Sequence, residues 1–219
     1  MEHEINLETY KSIINIIYEE HNNSTKTWLD KQEKTYNLAN KNIIDVYTLN
    51  KNEEYIESEF KEYMSSYMKT LDELYMKIML RINEECNLII RGRVKSTESI
   101  NLKMSKKAKQ DSGKFSINRC LNDLLGLRII DSNYNKNIVI LEEYLNELKD
   151  NQNIRIRNLN RENKGYRAYH IYFRGLDNRY FPVELQIWNK HNEDTNLKSH
   201  EMYKKEYTSW SHDYKNNLV

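Results

Sequence analysis

Residues 88–104 read LIIRGRVKSTESINLKM, and the fold turns on this stretch. From Leu88 to Lys95 the chain alternates, with Arg91, Arg93 and Lys95 pointing one way and Ile90 and Val94 the other, which is the period of a β-strand. Ser96 or Thr97 can then cap a helix that carries Ile100, Met104 and several lysines. A strand of cations running directly into a helix start predicts an α/β body from here onward.

Toward the C-terminus, Gly113 breaks the helix, and Leu124 to Ile130 is a short apolar run suited to a buried strand. Ile138 to Leu148 has helical spacing through Leu141, Tyr144, Leu145 and Leu148. Arg167 to Phe173 and Tyr180 to Ile187 read as two strands joined as a hairpin at Gly175 to Asn178. From Asn189 the pattern is helical again, with Leu197, His200, Tyr203, Tyr207 and Trp210 on its inward face. Toward the N-terminus the punctuation vanishes, since all five glycines and the only proline, Pro182, follow residue 90. Helices are therefore expected over Leu7 to Tyr18, Thr27 to Tyr47, and a long stretch with Ile56, Phe60, Tyr63, Tyr67, Leu71, Leu74, Ile78 and Ile82 at three- and four-residue steps. The expected architecture is a mixed α/β (α+β) fold. A sheet of four or five strands covered by helices spans residues 88–219, and a helical N-terminal region, residues 1–87, packs on it.

A chain of 219 residues can bury an ample core. Its 38% hydrophobic and 31% charged residues are ordinary for a well-solvated protein. No run approaches the roughly 18 apolar residues of a membrane span, and no signal segment opens the chain, so a cytoplasmic protein with no membrane partner is expected. Cys86 and Cys120 are too few for a disulfide framework and read as packing residues. The net charge of +1 hides a local asymmetry. Arg91, Arg93, Lys95, Lys103, Lys106, Lys107 and Lys109 are opposed only by Glu98, whereas Glu53 to Glu85 is rich in Glu. That pattern suits a surface that meets phosphate, and near-neutrality of the whole argues against a general nucleic-acid coat.

Four segments can carry chemistry. Three parallel cations on one strand repel one another unless a polyanion such as a nucleoside triphosphate offsets them, and the adjoining helix start adds free N–H groups. The same charges would also suit an edge strand guarded against aggregation. Asp123, at the mouth of the buried strand in Asn122-Asp-Leu-Leu-Gly-Leu-Arg128, can ligate a hard cation such as Mg²⁺, though a plain turn would use an Asp there too. In Val183-Glu-Leu-Gln-Ile187, Glu184 and Gln186 share the face opposite Val183, Leu185 and Ile187. Glu184 is thus a candidate base or metal ligand and Gln186 an orienting group, unless that face is simply solvated. Lys164-Gly-Tyr-Arg-Ala-Tyr-His170 can present Tyr166 to a nucleobase, with His170 further along the strand, although each alone reads equally as packing.

Together these segments resemble the synthetase domain of the RelA/SpoT family, especially its short single-domain members, the small alarmone synthetases. The resemblance rests on GRVKSxxSIxxKM at 92–104, Asp123-Leu-Leu-Gly-Leu-Arg128, Gly165-Tyr-Arg-Ala-Tyr-His170 and Glu184-Leu-Gln-Ile187, in that order. It implies a nucleotidyltransferase-like mixed sheet and transfer of the β,γ-pyrophosphate of ATP to the 3′-hydroxyl of GDP or GTP, releasing AMP. On the donor side it implies that Arg91 and Arg93 bind ATP, Arg93 at the adenine, that Lys95, Ser99, Lys103 and Lys107 hold the phosphates, and that Arg128 lies beside Asp123 in reach of phosphate. Asp123 and Glu184 would share Mg²⁺, Glu184 would act as base and Gln186 would orient it. The acceptor side would comprise Tyr166, His170, Arg161, Lys164, His200 and Lys204.

This chain departs from the family pattern on the acceptor side. Trp188 stands where an arginine is common, Asn189 to Ser199 is unusually polar, and Arg161-Glu-Asn-Lys164 replaces a Pro-containing basic loop. A toxin-type member that modifies the 3′ end of tRNA, neutralised by an antitoxin protein, is the alternative these departures favour. A catalytically inactive nucleotide-sensing or RNA-binding module is a third reading. Self-association into a homo-oligomer is compatible with all three.

Overall fold

The cationic strand forms one edge of a five-stranded sheet. In this computed structural model, residues 5–50, 53–152, 154–163, 165–199 and 202 are described. The elements in order are α1 (Leu7–Leu29), β1 (Tyr47–Leu49), β2 (Glu54–Ile56), α2 (Ser58–Met68), α3 (Leu71–Cys86), β3 (Arg91–Val94), α4 (Thr97–Lys109), α5 (Ile117–Cys120), β4 (Leu125–Asp131), α6 (Tyr134–Gln152), β5 (Ile156–Asn163), β6 (Tyr166–Phe173) and β7 (Val183–Asn189). Residues 193–199 are helical. The large sheet runs β3-β4-β7-β6-β5, with β4 and β7 parallel and the other neighbours antiparallel. It is the mixed sheet expected from the strand pattern.

Alternation in the sequence decides the faces. β4 buries every second residue, Leu125, Leu127, Ile129 and Asp131, against the helices. β7 sets Val183, Leu185 and Ile187 on the same layer by pairing them with Leu125, Leu127 and Ile129. The helices α1 and α6 cover that side, and one hydrophobic cluster runs from Ile13 and Ile17 of α1 through Ile78 and Ile82 of α3 to these strands. Tyr10 ties α1 to the end of β4 by donating to Asp131 Oδ2 at 2.8 Å, and Asn137 donates to the same oxygen at 3.0 Å. At roughly 25 cal/mol per Å² of buried apolar surface, helices sharing such a core are part of the folded unit.

The structure corrects several boundaries. The first helix is continuous to Leu29, and no helix follows over 30–47 apart from a short 3₁₀ turn at Ile43–Asp45; the chain then forms the β1–β2 ribbon. Asn37 and Asn42 explain this local outcome, because their side chains accept backbone N–H groups or cap a turn in place of helix bonds. The long amphipathic stretch breaks at Lys69 and Thr70 into α2 and α3. β5 was not foreseen: its Ile156, Arg157, Asn158, Leu159, Asn160, Arg161, Glu162 and Asn163 carry only two large apolar residues, and its burial is confined mostly to its start. The cap of α4 is Ser96, which accepts from Ser99 N–H at 3.3 Å. Gly92 answers to close packing, since a Cβ there would collide with the Tyr75 ring. Gly175, at φ 66°, lies in the loop between β6 and β7. Lys164, His200, Tyr203, Lys204, Tyr207 and Trp210 lie outside the described residues. No helix among the described residues is long and apolar enough to cross a membrane.

Candidate active site

The face of the sheet opposite the buried Leu125, Leu127 and Ile129 carries a cleft lined by Arg91, Arg93, Asp123, Gly126, Arg128, Glu184 and Gln186, among others. The register explains why. Arg91 pairs with Arg128 and Arg128 with Gln186; one step along, Arg93 pairs with Gly126 and Gly126 with Glu184. Directly opposed residues project to the same side, so two rows of polar groups cross the sheet. Gly126 contributes no side chain to its row, and a Cβ built there would come within 3.7 Å of Glu184 Oε2.

Asp123 stands at the end of this face where β3 meets α4. Lys95 donates to its Oδ2 at 2.7 Å and Lys103 to its Oδ1 at 2.9 Å, while Lys103 also reaches Asn122 Oδ1 at 3.0 Å. Burial alone would raise the Asp123 pKa, but the two ammonium charges and their hydrogen bonds prevail and hold it at about 2. Ser99 sits in the first turn of α4 and bonds the Ser96 hydroxyl at 2.9 Å. Lys107, one turn beyond Lys103, is placed elsewhere: its ammonium bonds Gln110 at 2.7 Å and lies 4.5 Å from the centre of the Phe115 ring.

Glu184 is held differently. It is 6% exposed and lies within a chain of hydrogen bonds on β6 and β7. His170 Nδ1 donates to Glu184 Oε1 at 2.8 Å, and Gln186 donates to Glu184 Oε2 at 2.8 Å. The Tyr166 hydroxyl is 2.9 Å from the other ring nitrogen of His170, and that of Tyr172 is 3.3 Å from His170 Nδ1. Burial pushes the Glu184 carboxyl upward, but the His170 hydrogen bond and charge, helped by Gln186, bring it below its ordinary value against the opposing charge of Asp123. Desolvation raises the Tyr166 phenol to about 12.

Arg128 joins the two groups. Its guanidinium stacks 3.5 Å from the centre of the Trp188 ring and donates to Gln186 Oε1 at 3.4 Å, while its Nε is buried without a hydrogen-bond partner. Burial, with the nearby charges of Arg93 and Arg91, lowers its pKa. Trp188 also meets Tyr166 edge-to-face at 5.9 Å. Arg161 is exposed, 5.9 Å from the Tyr172 ring centre. Arg91 pairs with Glu193 of the last described helical segment at 2.9 Å.

Sequence reasoning passed over Tyr172, Glu193 and Asn122 as members of this surroundings. Tyr172 had a signal, being two residues from His170 on the same strand and therefore on the same face. Glu193 and Asn122 had none, because their partners are fixed by how separate elements pack.

The donor set fits a hard cation. Two carboxylates reach one cleft and Asp123 is held anionic, while Mg²⁺ commonly takes only one or two carboxylates and completes its sphere with water and substrate phosphates. Among the described residues no group of three or more His, Cys, Asp or Glu side chains is arranged to hold a metal, so a site filled by protein ligands alone is absent there.

Comparison with known proteins places this site in context. Among the solved structures similar to this chain are three of small alarmone synthetase 1 from Bacillus subtilis. The one bound to its product pppGpp is 21% identical, covering 68% of this chain and 83% of that one, with a TM-score of 0.44. The structure described without a ligand is 20% identical, covering 74% and 87%, at 0.43. The one bound to AMPCPP is 19% identical with the same coverage, at 0.39. No curated protein matches the chain. The model of the region found in RelA / SpoT proteins matches residues 92–208, more than half of the chain and all four motifs quoted above, so the chain belongs to the RelA/SpoT family.

Proposed function

We propose that the protein transfers the β,γ-pyrophosphate of ATP to the 3′-hydroxyl of a guanosine nucleotide, GDP or GTP. The observation that carries this reading is the single cleft that collects Arg91, Arg93 and Arg128 with both Asp123 and Glu184. Pyrophosphoryl transfer asks chiefly for in-line placement and for neutralisation of negative charge, with a base for the attacking hydroxyl.

Arg91, Arg93, Lys95, Lys103 and Arg128 bind the donor, the exposed arginines at its base and the lysines at its phosphates. Asp123 and Glu184 would hold Mg²⁺, which would neutralise charge on the phosphates. Glu184 accepts the proton of the 3′-hydroxyl; the freed oxygen bonds the β-phosphorus, the bond from that phosphorus to the α,β-bridging oxygen breaks, and AMP departs. Gln186 and His170 hold the two Glu184 oxygens in place, so the base has one orientation before substrate arrives. Tyr166 keeps the His170 ring turned toward Glu184.

Incubation with ATP labelled in the β,γ-pyrophosphate and GDP, GTP or deacylated tRNA in separate reactions tests the proposal. Label on guanosine nucleotide with one AMP per transfer supports it. Label on tRNA alone would select the toxin-type acceptor, which the altered acceptor-side segments favour. Absence of label from every acceptor would leave a nucleotide-sensing or RNA-binding role.

A further inference from the structure

Strand register brings an arginine and a tryptophan together at the wall of the cleft. Arg128 of β4 pairs with Gln186 of β7, and Trp188 pairs with Ile130 two residues further on. By alternation Trp188 shares the face of Glu184 and Gln186. It therefore lies one strand across and two residues along from Arg128, about 8 Å between backbones at ordinary strand spacing. A long side chain and an indole ring bridge that distance. The Arg128 guanidinium stands 3.5 Å from the centre of the ring, which is fully buried. Arg128 lines the cleft, whereas Trp188 is absent from its lining.

The kind of partner matters. Burial, and then the charges of Arg93 and Arg91, work against the Arg128 cation. Among the described residues no carboxylate forms an ion pair with it, although the charge of Glu184 is felt there. Gln186 stands between the two, accepting from Arg128 through Oε1 at 3.4 Å and donating to Glu184 Oε2 at 2.8 Å. A carboxylate partner would hold the arginine but cancel its charge. An aromatic face instead holds the guanidinium plane by cation–π attraction and stacking, and it leaves the charge and most of the N–H donors uncommitted. The ring is itself braced, since Tyr166 meets it edge-to-face at 5.9 Å and an interplanar angle of 86°.

We propose that Trp188 is a positioning residue of the donor site, whose ring seats Arg128 as an uncompensated cation facing the phosphates of ATP and keeps it off Glu184. The proposal rests on the reading of Arg128 as a donor-binding group. It deepens that reading by making the affinity for a triphosphate depend on a side chain outside the cleft lining, acting through Arg128 alone.

A double-mutant cycle on ATP binding, with Mg²⁺ and without acceptor, tests it. ATP is titrated into the wild type, Trp188→Leu, Arg128→Gln and the combined variant, each checked for an intact melting transition. Trp188→Leu is expected to weaken ATP binding by about 3- to 30-fold, the range of a desolvated cation–π pair. In the Arg128→Gln background the same replacement is expected to cost nothing further. Trp188→Phe keeps a weaker aromatic face and should fall between wild type and Trp188→Leu; it carries the same cycle if the leucine variant does not fold. The stack has its own signature in protein labelled with 5-fluorotryptophan. The ¹⁹F resonance that Trp188→Phe removes should shift in Arg128→Gln. Undiminished ATP affinity in the Trp188 variants, an equal loss with Arg128 present or replaced, or an unmoved resonance overturns the proposal. Because the cycle reads affinity, a failure of pyrophosphate transfer would count against the proposed function and leave this test intact.

Discussion

The two acids of the cleft are kept ionised by opposite means. At the β3–α4 side, Asp123 is partly open to solvent and shares two lysines, so its anion is held by charge. At the β6–β7 side, Glu184 is buried and held by directional hydrogen bonds from His170 and Gln186, which are themselves held by Tyr166 and Arg128. The first arrangement lets a cation take a lysine's place at Asp123 and frees that lysine for phosphate, since ammonium groups on flexible side chains can rearrange. The second is fixed by strand register and permits one geometry. A group that must neutralise a mobile, highly charged donor belongs in the first kind of surroundings, and a base that must meet one hydroxyl in line belongs in the second.

The largest effect that would sharpen this contrast is expected for Glu184→Gln. The amide fills the same space but cannot accept the hydroxyl proton, and single-turnover transfer should fall by about 10²- to 10⁴-fold while ATP binding changes little. Wild-type rates in this variant would remove the β6–β7 side from the chemistry. Asp123→Asn should also reduce transfer by at least about 10²-fold through lost charge placement, accompanied by weaker binding of Mg-ATP.

Asp123 has a signature in stability as well. Its pKa is depressed to about 2 in the folded protein. The contribution is therefore complete above the unfolded carboxylate range near 4 and disappears as pH falls toward 2. It amounts to roughly 2 kcal/mol. Denaturant titrations of wild type and Asp123→Asn should diverge above about pH 4 and converge near pH 2; parallel curves would mean that the lysine pairs in the structure contribute nothing to folding.

Smaller effects are expected away from the two acids. Tyr166→Phe removes one hydrogen bond to His170, worth about 1 kcal/mol, or about fivefold in kcat/KM for the acceptor with KM for ATP unchanged. A change confined to ATP would place Tyr166 on the wrong side of the comparison. Arg91→Gln breaks an exposed pair with Glu193 and should alter stability by less than about 1 kcal/mol, a shift measurable by chemical denaturation.

The same contrast governs what could be read from the chain. β3 and β7 were legible because polar and apolar residues alternate along them, β4 as a short apolar run and β6 as the partner of β7 across a Gly-containing turn, and Ser96 was one of two candidate caps for α4. Glu184, Arg91, Arg93 and Arg128 stand on those strands and Asp123 lies two residues before β4, so their sharing of one face follows once the strands are placed side by side. β5 was not legible, because an edge strand buried at one end needs few apolar residues and its arginines and asparagines resemble a loop. The segment after Leu29 misled because its apolar residues, Tyr36, Leu38 and Ile43, are buried by turns instead of along a helix face. The stacking of Arg128 on Trp188, and the lysines that converge on Asp123 from α4 and the end of β3, depend on packing between elements, for which local periodicity carries no signal.

The central claim is that Glu184 takes the proton of an acceptor 3′-hydroxyl while cations around Asp123 steady the phosphates of ATP. The most direct measurement is a rapid-quench single turnover with β,γ-labelled ATP and GTP, comparing wild type with Glu184→Gln at matched ATP occupancy. The account predicts label on the guanosine 3′-oxygen and equimolar AMP from the wild type, and almost none of either from the variant. Equal yields from both proteins, or ADP in place of AMP, would contradict it.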